Sequence, residues 1–225
     1  MVTYQNIEDN IISCLADDLP ENMIGAAIVS NEDGSQHAAI FIRYNGESQM
    51  FHFTGKNVMI EDVLSLDEAY YHKRLDFIDP ILLPAFLAQC ELVLEKAQPK
   101  FGYFYDGALY NANGDFLSPS AFPEYMTCVG FCLNVIKGFL SDQDYFTYTD
   151  WDSTTLDESY AINFVEKVKE DYPDINLADF KANLRRIFPI EFLSGAFADD
   201  LPVAKSFINN IKLDVQDILE RKLVA

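Results

Sequence analysis

Apolar and polar positions change period several times along this chain, and each change predicts an element. In residues 6–17, Ile7, Ile11, Cys14 and Leu15 recur at helical spacing, which predicts a short amphipathic helix with Cys14 in its core. The period then falls to two. GAAIVS (25–30), HAAIFIRY (37–44) and ESQMFHFT (47–54) read as strands. Asn45-Gly46 joins the last two as a hairpin, because a type I′ turn needs positive φ at both central positions.

Asp79-Pro80, a cap residue followed by proline, predicts a helix running to about Ala97, with Cys90 on its buried face. Asp106-Gly107 and Asn113-Gly114 mark strands or a hairpin within 101–117. A helix follows over about Cys128–Leu140. Three further helices are predicted at about 157–171, at 177–188 (ended by Pro189) and at 201–223, the last amphipathic. These elements predict an α+β fold: a small, mainly antiparallel sheet packed on the Cys128 helix. Residues 1–140 form the main domain, 141–156 an acidic linker or loop, and 157–225 a helical extension packed on the first part.

Composition narrows the function classes. Of 225 residues, 49% are hydrophobic and 23% charged, which supplies a core and excludes global disorder. Thirty-six Asp and Glu against sixteen Lys and Arg give a net charge of -20. Such a surface repels phosphate backbones, so nucleic acid is not an expected partner, whereas a basic protein is favoured. The acidic stretch 141–160, with Trp151, is a solvated loop or a docking segment for such a partner. No signal peptide and no membrane span is visible, and four scattered cysteines (Cys14, Cys90, Cys128, Cys132) do not make a disulfide scaffold, so a reduced, cytoplasmic protein is expected.

The candidate chemistry lies in two places. In a two-residue hairpin at 45–46, paired residues sum to 91, so His52 lies opposite Ala39 and diagonal to His37. Both imidazoles then share one face of the sheet. The second place is Thr127-Cys128, where Thr127 caps a helix and Cys128 takes its first position. A thiol there feels the positive end of the helix, which lowers its pKa, and the free N–H groups beside it can hold an oxyanion. Cys132, one turn on, reads as packing, and Cys-x3-Cys is weak evidence for zinc. His72, beside Tyr71 and Lys73, is expected to be exposed. The aromatic run holding Tyr103, Tyr105 and Tyr110 reads either as core or as the lining of an apolar substrate groove.

These residues carry a resemblance. GAAIVS, then HAAIFIRYNGESQMFHFTG (37–55), then TCVGFCLNVIKG (127–138) together resemble the circularly permuted papain-like NlpC/P60 superfamily, with the closest local likeness to its lecithin:retinol acyltransferase-like branch. The likeness covers about 50 residues of the 225. Val129 and Gly130 after Cys128 fit the peptidase-like branch better, and the C-terminal helices have no counterpart in the family. The resemblance implies Cys128 as nucleophile, His37 as general base and His52 as the polar third member; separately, no cofactor and no metal are expected. It implies thiol-dependent hydrolysis or acyl transfer at a peptide, isopeptide or lipid acyl bond. The rival reading from composition is a noncatalytic acidic protein, inhibitor-like or immunity-like, that binds a basic partner.

Overall fold

A computed structural model describes residues 2–30, 34–140, 143–151 and 158–224. The chain is α+β, built on a six-stranded antiparallel sheet. Its strands are β1 (Ile12–Ser13), β2 (Met23–Ser30), β3 (Gln36–Tyr44), β4 (Glu47–Phe53), β5 (Val58–Asp62) and β6 (Tyr71–Arg74), in spatial order β1-β6-β2-β3-β4-β5. The helices are α1 (Tyr4–Asn10), α2 (Leu83–Lys96), α3 (Cys128–Phe139), α4 (Glu158–Asp171), α5 (Leu177–Asn183), α6 (Pro189–Gly195) and α7 (Lys205–Val224).

The β3–β4 hairpin takes the register its turn demands: Tyr44 pairs with Glu47 and Ile40 with Phe51. Asn45 and Gly46 have φ of 50° and 84°, the left-handed values of a type I′ turn. Alternation along these strands makes two cores. Ala38, Ile40, Ile42, Phe51 and Phe53 face the side covered by α3, α6 and α7, where Val129, Phe131, Cys132, Leu193 and Ile211 complete the larger cluster. Ala39, Phe41 and Met50 face the other side, against Cys14, Leu19, Val63 and Tyr70. Helix α3 lies close over Leu109–Tyr110, and a Cβ at Gly138 would stand 1.6 Å from the Tyr110 carbonyl oxygen.

The last third of the chain shares these cores. Phe192, Ile208, Val215 and Leu219 join the cluster built on β2 and β3. Leu184–Arg185 pairs antiparallel with Phe104–Tyr105, and Arg221 on α7 reaches Glu8 at 3.1 Å.

Several expectations are corrected. The first helix ends at Asn10, and Ile12–Ser13 pairs instead with Tyr71–His72 at the sheet edge. Asp79 caps a single 3-10 turn over Pro80–Leu82, and α2 begins only at Leu83. Pro189 does not simply end a helix: it occupies the first turn of α6, where its missing N–H is harmless. The final helix starts at Lys205 rather than at 201. Trp151 is buried and donates to Glu191 at 3.2 Å, so it is not a docking side chain. Of the expected acidic linker or loop 141–156, residues 143–151 are described, and Tyr145, Phe146, Tyr148 and Trp151 within them are buried; the rest of it lies outside the described residues.

Candidate active site

The two histidines meet as the hairpin register requires. His37 Nε2 and His52 Nδ1 are 2.8 Å apart, with the rings edge-on. The other nitrogen of His52, Nε2, stands 2.6 Å from Glu61 Oε2. Glu61 belongs to β5, which pairs with β4 so that His52 opposes Met59 and Met50 opposes Glu61. A residue opposite Met50 shares the face of Met50 and His52, and this places the carboxylate against the ring.

This row of groups orders its own protons. An ionised Glu61 only accepts, so His52 Nε2 carries hydrogen toward it. Neutral His52 then presents a lone pair at Nδ1 and accepts from His37 Nε2–H. Neutral His37 is left with its lone pair at Nδ1, and no further hydrogen bond reaches that ring among the described residues. Burial, and secondarily the charge of His52, lower the His37 pKa to about 4, so at neutral pH the ring is an unprotonated base. The groups sit in a cleft of about 450 Å³ bounded also by Asp67, Glu68 and Tyr70.

Cys128 is the first residue of α3, as the Thr127 cap predicts. The Thr127 hydroxyl accepts from the Gly130 N–H at 3.0 Å. The thiol is partly exposed, and the backbone N–H groups of Ala38, Val129 and Cys128 itself are placed to favour its ionised form. It therefore lies at the backbone of the residue next to His37, where the β3–β4 pairing has stopped at Ile40–Phe51. Burial first, and then the charges of Glu68 and Glu61, push the Tyr70 phenol up. The expected low thiol pKa is corrected: burial pushes the Cys128 thiol up, and the three N–H groups offset only part of that. Among the described residues no hydrogen bond joins Cys128 to His37, and Cys128 is not in the wall of the histidine cleft.

The structure thus joins His37 and His52, adds Glu61, and sets Cys128 beside Ala38. Glu61 escaped sequence reasoning because VMIED lacks a clean period of two. The available signal was Gly55, with φ of 87°, which turns the chain for a further antiparallel strand.

The aromatic groove is corrected. Tyr103, Tyr105 and Tyr110 are all at most 2% exposed. Tyr103 and Tyr105 pack with Phe122, Tyr125, Phe164 and Phe180, and Tyr110 donates to Glu124 at 2.7 Å. All three are core: α4 and α5 close over Tyr103 and Tyr105, and Tyr110 packs against Phe116 and Phe131 in the main core. His72 is also corrected: it is 1% exposed because β6 lies inside the sheet, between β1 and β2. Its Nδ1 is 3.5 Å from Cys14 Sγ, and its ring stacks at 4.5 Å on Phe41.

Among the described residues no group of histidine, cysteine and carboxylate side chains is placed to hold a metal ion, and no helix is long and apolar enough to cross a membrane. The chain matches no protein-family model, no curated protein and no solved structure.

Proposed function

We propose that this protein is a thiol-dependent hydrolase or acyl transferase acting on an amide or ester bond, with Cys128 as nucleophile, His37 as base, and His52 and Glu61 holding that base. The observation that carries the reading is the unbroken row from Glu61 through His52 to His37, which leaves a neutral imidazole with one free lone pair next in the chain to Ala38, whose backbone N–H favours the Cys128 thiolate. A nucleophile and a base, with the base oriented by further groups, is the constellation thiol acyl transfer needs. It also suits the permuted papain-like NlpC/P60 arrangement that residues 37–55 and 127–138 resemble.

The steps follow from the groups present. The mechanism requires the thiol to turn to His37 Nδ1 on substrate arrival and to form there a hydrogen bond that is absent without substrate. Sulfur attacks the carbonyl carbon and its proton passes to His37. The resulting imidazolium is stabilised through His52 by the Glu61 carboxylate. The N–H groups of Cys128 and Val129, free at the helix start, can receive the oxyanion. His37 then returns the proton to the departing amine or alcohol, and water or another acceptor releases the acyl group from sulfur.

Alkylation with iodoacetamide at pH 7, followed by peptide mapping, tests this. Cys128 is expected to react well ahead of Cys14, Cys90 and Cys132, which are at most 2% exposed, and His37→Ala is expected to slow it. Equal rates at all four thiols, or no effect of His37→Ala in a folded variant, would refute the mechanism.

One observation favours a second reading. The cleft around the histidines carries Glu61, Asp67 and Glu68, and the whole chain is strongly acidic. A noncatalytic protein that receives a basic partner there would bind it tightly at low salt, and all four cysteines would be equally inert.

A further inference from the structure

Arg43 sits on the same face of β3 as His37, six residues along, at the turn end of the hairpin. It lines a second cavity, of about 480 Å³, walled by the segment around Cys14–Asp17, the hairpin end and the turn at Asp62–Leu64. Arg43 Nη1 donates to its cross-strand partner Ser48 at 2.9 Å. Arg43 Nε is buried with no acceptor. No carboxylate stands within ion-pair distance of this guanidinium among the described residues, although Asp17, Glu47 and Asp62 line the same cavity. In a chain with more than two acids per base, Arg43 is half-buried without an acid; Arg186 shares that trait but lies over the Phe188 ring, whereas Arg43 lines a cavity.

A planar guanidinium offers paired donors that match a carboxylate. Ser48, which already accepts from Arg43, keeps its own hydroxyl hydrogen free to donate to the same anion. The three exposed acids would repel a ligand that is only anionic and would attract a cationic group held a few ångströms from its carboxylate. Their excess over Arg43 favours a ligand whose cationic arm is separate from that carboxylate.

We propose that this cavity binds a basic amino-acid unit, free or as the C-terminal residue of a peptide, with its carboxylate on Arg43 and Ser48 and its cationic side chain among Asp17, Glu47 and Asp62. The site does not depend on the thiol mechanism.

Calorimetric titration of the full chain tests it with four probes: N-acetyl-Ala-Ala-Lys as the free acid, the same peptide as its C-terminal amide, N-acetyl-Ala-Ala-norleucine, and L-lysine. The free acid is expected to bind about ten- to a hundredfold more tightly than the amide, the range of a charge-assisted hydrogen-bonded pair. The norleucine peptide is expected to bind several-fold more weakly, as for loss of exposed charge pairs. Arg43→Gln should remove the preference for the acid, and Glu47→Gln should weaken the lysine peptide but not the norleucine one. L-lysine binding as well as the peptide supports a free amino acid as the ligand. Binding of the peptide alone supports a chain end. No binding of any probe, equal affinity for acid and amide, or an undiminished preference in Arg43→Gln overturns the proposal. Should Arg43→Gln fail to fold, the acid–amide comparison on the unaltered chain decides.

Discussion

Acidification should destabilise this protein in a window set by two histidines. His37 and His72 both have pKa values lowered to about 4 from an ordinary 6.5, burial being the first cause in each; His52 adds to it for His37 and Lys73 for His72. The native chain cannot take the proton that the unfolded chain binds near pH 6.5. Stability is therefore full above that pH and is lost as pH falls toward 4. At pH 5 the linkage amounts to about 2 kcal/mol for His72, which is 1% exposed, and to somewhat less for the partly exposed His37. Together they remove about 3–4 kcal/mol, a large fraction of the stability of an ordinary domain. Asp106 and Glu124, whose carboxyls burial pushes up, act in the opposite sense, so His72→Gln is needed to assign the slope to an imidazole. Urea unfolding followed by circular dichroism at pH 7.5, 6 and 5 measures the slope. His72→Gln should remove about half of it while lowering stability at pH 7.5, since the Cys14 contact is lost. A loss under about 1 kcal/mol between pH 7.5 and 5, or the same slope in His72→Gln, would refute the assignment of neutral buried imidazoles.

Three further outcomes are expected. Glu61→Gln replaces a carboxylate acceptor by an amide that can donate to His52 and reverse both tautomers; alkylation of Cys128 at pH 7 should slow by about 5- to 30-fold, matching about 1–2 kcal/mol for a part-exposed charge-assisted bond, and an unchanged rate would remove Glu61 from the site. Gly138→Ala drives a methyl group into the Tyr110 carbonyl and should cost about 3 kcal/mol or more, read as a lowered urea midpoint; a midpoint equal to the parent would mean that α3 does not lie so close to Leu109–Tyr110. Deleting residues 150–225 strips Phe192, Ile208 and Val215 from the core on β2 and β3, so the product should aggregate or lose its cooperative transition; a soluble, monomeric, cooperatively unfolding fragment would contradict the shared core.

What the sequence determined by itself was local. Asn45-Gly46 admits one hairpin geometry, and that geometry set the register which brought His37 to His52. Thr127 capped a helix and put Cys128 at its first position, because short-range hydrogen bonds decide such starts. The long amphipathic run that became α7 was visible for the same reason, its apolar residues lying on one stripe.

Tertiary structure decided everything that joins distant segments. Ile12 and Ser13 carry a helical pattern, yet they are a strand because β6 offers them partners, His72 and Tyr71, far along the chain and in register, and a lost ladder outweighs a weak propensity. His72 looks like part of a polar surface tetrapeptide and is buried because its strand is inserted between β1 and β2, a choice no local period records. Tyr103, Tyr105 and Tyr110 could serve a groove or a core equally well as a string of letters; α4 and α5 closed in the first two, and Phe131 of α3 the third. Glu61 became the end of the histidine row only when β5 folded back on β4. The thiol followed the same logic: its helix start favours thiolate, but desolvation depends on what the fold packs around it, and that burial is the larger effect at Cys128.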